Sequence, residues 1–230
     1  MALYAIGDLH LSLGTNKSME VFKGRWTGYV EKIKSGFSKL RDDDICVLCG
    51  DISWGMSLDE SKNDFLFIDA LPGKKIIIKG NHDYWWNTRT KIGNFFDEIG
   101  VSSIEILNNN SFDYNEEFAI CGTRGWFYEE EKGTLQDAKV LNRELMRLKA
   151  SLDSAGDKEK LVFLHYPPKF LNYTCSEMIS IISDYNARLC CYGHIHDKGC
   201  QVAFEGKLNG TEYKLVSADH LNFVPHKIFD

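Results

Sequence analysis

Five short apolar runs each stop at a side chain able to bind a metal ion, and this recurrence limits the possible folds more than any other feature of the chain. Leu3-Tyr4-Ala5-Ile6 runs into Gly7-Asp8-Leu9-His10, Ile45-Cys46-Val47-Leu48-Cys49 into Gly50-Asp51, and Lys75-Ile76-Ile77-Ile78-Lys79 into Gly80-Asn81-His82-Asp83. Further on, Leu161 to Leu164 stops at His165, and Leu189 to Tyr192 stops at Gly193-His194-Ile195-His196. The runs read as buried strands. An amide, imidazole or carboxylate at the end of such a strand costs free energy unless it finds a partner. Histidines scattered through a core show no preference for strand ends, yet five of the seven lie there.

Helical spacing fills the gaps between the runs. Phe22, Trp26, Tyr29, Ile33, Phe37 and Leu40 recur at steps of three and four and predict one amphipathic helix. A second is expected over 58–71, closed by Pro72-Gly73, and a third carries Ile92, Phe95, Phe96 and Ile99 and stops at Gly100. A fourth, with Leu141, Leu145, Leu148 and Leu152 on one face, follows the loop Gly122 to Trp126, and a fifth is expected over 176–183. Residues 101–107 and 118–121 read as strands, and 200–223 as a hairpin turning at Asn209-Gly210. This alternation predicts an α/β layered domain, its sheets covered by helices. No repeat or linker interrupts it, so a single domain over 1–230 is expected. Ligands of open α/β sheets bind outside the carboxyl ends of the strands, which gathers the five polar strand ends into one site.

Composition removes several function classes. No apolar run approaches the roughly 18 residues of a membrane span, and the N-terminus shows no secretory signal, so a soluble cytoplasmic protein is expected. The cysteine count is odd, at seven, and is not a disulfide framework. Cys46-x-x-Cys49 has no second CxxC and sits in an apolar run, as does Cys190-Cys191, so both read as buried thiols. A formal charge of -6 argues against a general nucleic-acid surface. Any phosphate binding must therefore be local. The oligomeric state is left open.

Carboxylate, imidazole and amide without thiolate suit manganese, iron or zinc in five- or six-coordinate sites. His194-x-His196 has the period-two spacing that sends both rings to one side of an extended segment, where they would face two adjacent metals. In this order, and across residues 7–196, Asp8-x-His10, Gly50-Asp51, Gly80-Asn81-His82-Asp83, His165 and Gly193-His194-x-His196 resemble the five-block signature of the calcineurin-like metallophosphoesterases. The resemblance implies two facing mixed β-sheets flanked by helices, a four-layer α/β/β/α sandwich, with two divalent metal ions. Manganese is the first expectation, with iron or zinc as alternatives.

By the same resemblance, Asp8, His10 and His196 bind one metal, Asn81, His165 and His194 bind the other, and Asp51 bridges both. His82 is implied to stand beside the metals, stabilising the transition state or protonating the leaving oxygen. With two carboxylates and otherwise neutral ligands, such a centre keeps a charge of about +2, or +1 with a bridging hydroxide, and attracts a phosphate ester without a basic surface. The implied reaction is hydrolysis of a small phosphomonoester or phosphodiester through a metal-bridging hydroxide. No Gly-x-Ser-x-Gly elbow or Walker-type loop offers a competing chemistry. The alternative is a non-catalytic metal-binding scaffold for a protein partner, disfavoured by the full ligand set together with His82.

The second block departs from the protein phosphatase pattern Gly-Asp-x-x-Asp-Arg-Gly. Trp54 and Gly55 stand where its Asp and Arg would fall, so protein Ser/Thr phosphatase activity is not expected. Asp83 is left between supporting His82 and making local turn hydrogen bonds. Arg124, in a glycine-flanked loop, is the candidate replacement phosphate contact, weighed against an ordinary bridge to a nearby acid. Trp54, Trp85, Trp86 and Trp126 are weighed as pocket walls against core fillers. Substrate choice is expected to depend on loops 11–20, 84–90 and 122–134.

Overall fold

The structure is a computed structural model and describes residues 1–128 and 133–230. Residues 129–132, part of the 122–134 loop named above, lie outside the described residues. The chain runs β1 (Leu3–Ile6), α1 (Tyr29–Phe37), β2 (Ile45–Leu48), α2 (Lys62–Asp69), β3 (Lys74–Ile77), α3 (Arg89–Ile99), β4 (Ile104–Ile106), β5 (Phe112–Asp113) and β6 (Phe118–Thr123). It continues through α4 (Leu135–Ser154), β7 (Glu159–Leu164), β8 (Lys169–Phe170), β9 (Tyr173–Thr174), α5 (Ser176–Asp184), β10 (Leu189–Tyr192), β11 (Gly206–Leu208), β12 (Thr211–Leu215) and β13 (His226–Phe229).

Two mixed sheets result, in the orders β13-β1-β2-β3-β4 and β11-β12-β10-β7-β6-β5, with a small β8-β9 ribbon beside them. The inner strands pair in parallel, and the antiparallel members β13, β11 and β5 stand at the edges. Successive side chains of a strand face opposite ways. Leu3, Ala5, Val47, Cys49, Ile76 and Ile78 therefore meet Ile120, Leu161, Phe163, Cys191 and Val216 in a core between the sheets. Ile6, Cys46, Leu48 and Ile77 turn to the other face and pack with Ile33 and Phe37 of α1, Phe65 of α2, and Ile92 and Phe96 of α3. Val162, Leu164 and Cys190 do the same with Leu148 and Leu152 of α4 and Ile182 of α5. The four layers are thus helix, sheet, sheet, helix, as expected.

Backbone bonds join the carboxyl ends of the two sheets. The Gly7 N–H donates to the Val216 carbonyl at 2.7 Å, and the Ala218 N–H donates back to the Gly7 carbonyl at 3.0 Å. Both sets of parallel strands consequently deliver their polar ends to a shared rim.

Local chemistry accounts for the element limits. Thr88 caps α3 by accepting the Lys91 N–H, and Gly100 ends it in the left-handed region at φ 77°. Thr134 and Asp137 form a reciprocal capping box at the start of α4. The helix expected over 22–40 is shorter. Its first part breaks into 3-10 turns at Met19–Phe22 and Gly24–Trp26, because Gly24 and Gly28 take positive φ and Phe22 lies in solvent. The second helix and the 101–107 strand also shrink, to α2 and β4. Asn209 and Gly210 turn the β11-β12 hairpin with φ of 50° and 90°, while β13 is an element the sequence reading did not anticipate. All seven cysteines are buried and free. No helix among the described residues is long and apolar enough to cross a membrane.

Candidate metal centre

The strand ends leave the sheet through strained backbone. Asp8, His10, Asp51 and His194 all take positive φ, between 47° and 72°, a conformation that costs a non-glycine residue about 1–3 kcal/mol and persists only where its surroundings enforce it. Here the enforcement is a lateral ladder: the Asp8 N–H donates to Gly50 O at 2.9 Å, the His10 N–H to Asp51 O at 2.9 Å, and the Leu11 N–H to Ile52 O at 3.0 Å. The first two blocks therefore run side by side. Gly80 brings the third block into contact with them, since a Cβ there would lie 2.1 Å from both the amide nitrogen and Oδ1 of Asp51.

All of the predicted ligand residues except His194 meet through short side-chain contacts. His10 Nε2 lies 3.4 Å from His196 Nε2 and 3.7 Å from Asp51 Oδ2. Asp8 Oδ1 lies 3.6 Å from His196 Nε2, and Asp51 Oδ2 lies 3.6 Å from His165 Nε2. His165 Nε2 approaches Asn81 Oδ1 to 2.6 Å. Potential ligand atoms of Asp8, His10 and His196, and likewise of Asp8, Asp51 and His165, lie within 4.8 Å of one another. His194 joins through its backbone N–H, which donates to Asp8 at 3.0 Å, and its ring stands 5.1 Å from that of His165.

Protonation follows from the surroundings. The Nδ1–H of His165 donates to the Cys49 carbonyl at 3.0 Å, which leaves Nε2 as the lone-pair nitrogen. His196 Nδ1 likewise donates to Asp219 at 2.9 Å. Burial pushes His165 down to about 3 and His194 down to about 2, so both rings are neutral near pH 7 and can donate a lone pair. Burial would also lower His196, but its hydrogen bond to Asp219 and the charge of Asp8 prevail and raise it to about 9. Burial raises Asp8 to about 8 and Asp51 to about 6. Imidazole nitrogens and carboxylate oxygens gathered this closely in a buried site are chemically suited to divalent cations. The histidines whose second nitrogen is fixed by a carbonyl or a carboxylate have the support that metal-binding histidines use.

His82 stands at the edge of this cluster. Its backbone N–H donates to Asp51 Oδ1 at 2.7 Å, its ring packs 4.3 Å from Trp54, and Nδ1 has no hydrogen-bond partner among the described residues. Asp83 does not support its ring. Both Asp83 oxygens are taken by N–H donors, with Gly80 and Asp51 on Oδ2 and Ile52, Ser53 and the Trp85 indole on Oδ1. The turn reading thus applies to Asp83 and extends beyond its own turn to the second block.

The Arg124 guanidinium lies over Trp126 and 3.4 Å from Glu144 Oε1. Trp85 fills the core against Phe65, and Trp54 stacks on His10 at 5.1 Å. Neither lines the cavity of about 510 Å³ that opens at His194 and His196. Its aromatic wall is Phe127 and Tyr128, from the 122–134 loop named above for substrate choice, with Phe170 and Tyr173, which lie outside every block and every named loop. Asp219 was also missed, although it had a usable signal: the apolar run into Leu215 and Val216 ends at Asp219 much as the other strands end at their carboxylates.

Residues 1–198 match the family described as calcineurin-like phosphoesterase. A probable cyclic nucleotide phosphodiesterase from Coxiella burnetii (strain RSA 493 / Nine Mile phase I) is 25% identical over 202 residues, covering 84% of this chain and 74% of that protein. Among solved structures, phosphopantetheinyl hydrolase from Mycobacterium tuberculosis superposes with a TM-score of 0.60 at 15% identity, over 99% of this chain and 95% of its own. A protein of unknown function from Aquifex aeolicus does so with a TM-score of 0.56 at 18% identity, over 98% and 95%. Those two likenesses concern the fold. With the family match spanning all five blocks from Asp8 to His196, the chain belongs to the calcineurin-like phosphoesterases and is a metal-dependent phosphoric ester hydrolase.

Proposed function

We propose that the centre holds two divalent cations, manganese first among the candidates, and hydrolyses a phosphodiester whose organic arm occupies the aromatic cavity. Asp8, His10 and His196 would hold one cation, Asn81, His165 and His194 the other, with Asp51 shared. The observation that carries this reading is the fixed tautomer of His165: with Nδ1–H committed to Cys49 O, its Nε2 lone pair converges with the Asn81 oxygen and the Asp51 carboxylate. Acceptors that converge in this way are stabilised by a cation between them. When bound, the two cations supply Lewis acidity at the phosphoryl group and a water acidic enough to attack near neutral pH.

The remaining work falls to this chain's own residues. His82, tied to Asp51 through its backbone N–H, is assigned protonation of the leaving oxygen by its ring, against which Trp54 packs. Asp219 holds the His196 ring, and Asp83 holds the backbone of the second and third blocks. The aromatic cavity has the size usual for a small organic ligand. The relative named as a cyclic nucleotide phosphodiesterase favours a diester with a planar arm. Seven buried free thiols suit a reducing cytoplasm.

The test is to strip the purified chain with a chelator, restore manganese, and compare a chromogenic diester with the matching monoester. Metal-dependent turnover that favours the diester is expected. In His82→Ala, kcat should fall about 10²–10⁴-fold with metal content unchanged. Absence of turnover on both esters and on a nucleotide panel, with metal bound, would contradict the proposal.

A further inference from the structure

A second cavity, of about 250 Å³, opens where β3 and β6 end, and it shares no lining residue with the aromatic one. Among the described residues, Lys79, Arg124 and Arg147 line it with a single carboxylate, Glu144, so three cations there face one anion in a chain whose formal charge is -6. If these residues served only to neutralise a buried acid, one guanidinium would suffice.

Glu144 is fully engaged. Its Oε1 accepts Nη1 of Arg147 at 2.8 Å and Nη2 of Arg124 at 3.4 Å, and its Oε2 accepts the Thr123 hydroxyl at 2.6 Å. Each guanidinium has five N–H donors and places one on this acid. Arg124 Nε is buried with no partner among the described residues. Such a donor is costly to leave unmet. Lys79 is half-buried in the wall of the same cavity. Asn87, Thr88 and Asn108 add neutral polar groups to the wall.

We infer that this cavity is an anion subsite for a phosphoryl group, held by Lys79, Arg124 and Arg147, with Glu144 orienting the two guanidiniums. It adjoins the metal centre. The Arg124 carbonyl accepts the N–H groups of His165 and Tyr166 at 3.1 and 2.9 Å, and Lys79 directly precedes Gly80 and Asn81. Planar guanidiniums and an ammonium are the donors that phosphoryl oxygens select. The proposal rests on the phosphoester reading only for the source of the group, which is either a second phosphoryl on the substrate or free phosphate.

The experiment follows the arginine Nε–H signals of the full chain loaded with diamagnetic zinc by nitrogen-15 NMR during titration with inorganic phosphate, with the Arg124 signal assigned from Arg124→Lys. A saturable shift of that signal is expected. In Lys79→Gln and in Arg147→Gln, the apparent Kd should rise about tenfold, the effect of losing one charge-assisted hydrogen bond. The source is separated by comparing adenosine 3′,5′-bisphosphate with adenosine 5′-monophosphate as inhibitors of diester turnover. A tighter bisphosphate whose advantage disappears in Arg147→Gln assigns the substrate's second phosphoryl; equal inhibition with the phosphate shift intact assigns free phosphate. No Arg124 shift with phosphate or bisphosphate, or a shift unaltered in both variants, overturns the inference. A shift that persists in a chain without turnover upholds it while the diesterase reading fails.

Discussion

The Asp83 carboxylate accepts the Asp51 backbone N–H at 3.0 Å, and so ties the end of the third strand to the end of the second. The same carboxylate takes four more N–H groups, from Gly80, Ile52, Ser53 and the Trp85 indole. In Asp83→Asn an amide NH₂ would face at least two of these donors, each costing about 1–3 kcal/mol when left unmet. A loss of about 2–4 kcal/mol in urea denaturation is predicted. Unchanged stability would show that the five bonds are not jointly needed.

Asp219 reaches the centre only through His196, whose Nδ1–H it accepts. Asp219→Asn should therefore weaken manganese binding about 10–100-fold. The fold, followed by circular dichroism, should be retained. Metal affinity equal to the parent chain would make Asp219 irrelevant to the ring's orientation.

Gly80 has no room for a side chain, because a Cβ would collide with both the backbone and the carboxylate of Asp51. Gly80→Ala is predicted to displace Asp51 and remove most metal-dependent turnover. Measured metal content should fall with it. Full activity in this variant would mean that the two strand ends can separate without consequence.

Asp44 sets the expected acid response at the opposite end of the sheet. Burial would raise its pKa, but the N–H groups of Ala2 and Arg41 and the Arg41 guanidinium outweigh burial and hold it below the ordinary 3.8. Its stabilising contribution is thus fully present above the unfolded value and is lost as pH falls through the folded one. The stability gap between the parent chain and Asp44→Asn, measured by denaturation across pH, should be widest near neutrality and close below about pH 4. A gap that stays constant into acid would contradict this sign.

The parts of the fold legible in the sequence were those with an internal contradiction. Asp8, Asp51, Asn81 and His165 follow apolar runs at places where polar groups are costly, which exposes both the strand ends and the candidate site at which the fold gathers them. Elements defined by distant partners carried no such mark. β13 exists because it pairs with β1, more than 200 residues earlier in the chain. The start of α1 was misjudged because hydrophobic spacing continues through Gly24 and Gly28, whereas the backbone does not. The aromatic wall assembles from two separate segments: Phe127-Tyr128 falls in the 122–134 loop expected to set substrate choice, whereas Phe170 to Tyr173 is unremarkable alone and gains its place only from the fold. Asp219 is readable by the same strand-end rule applied beyond His196.

The most direct test of the two-cation account is a crystal of the manganese-loaded protein, measured at the manganese absorption edge. Two anomalous peaks roughly 3.5–4 Å apart are predicted, one among Asp8, His10, Asp51 and His196, the other among Asp51, Asn81, His165 and His194. A single peak, or peaks away from Asp51, would contradict the account.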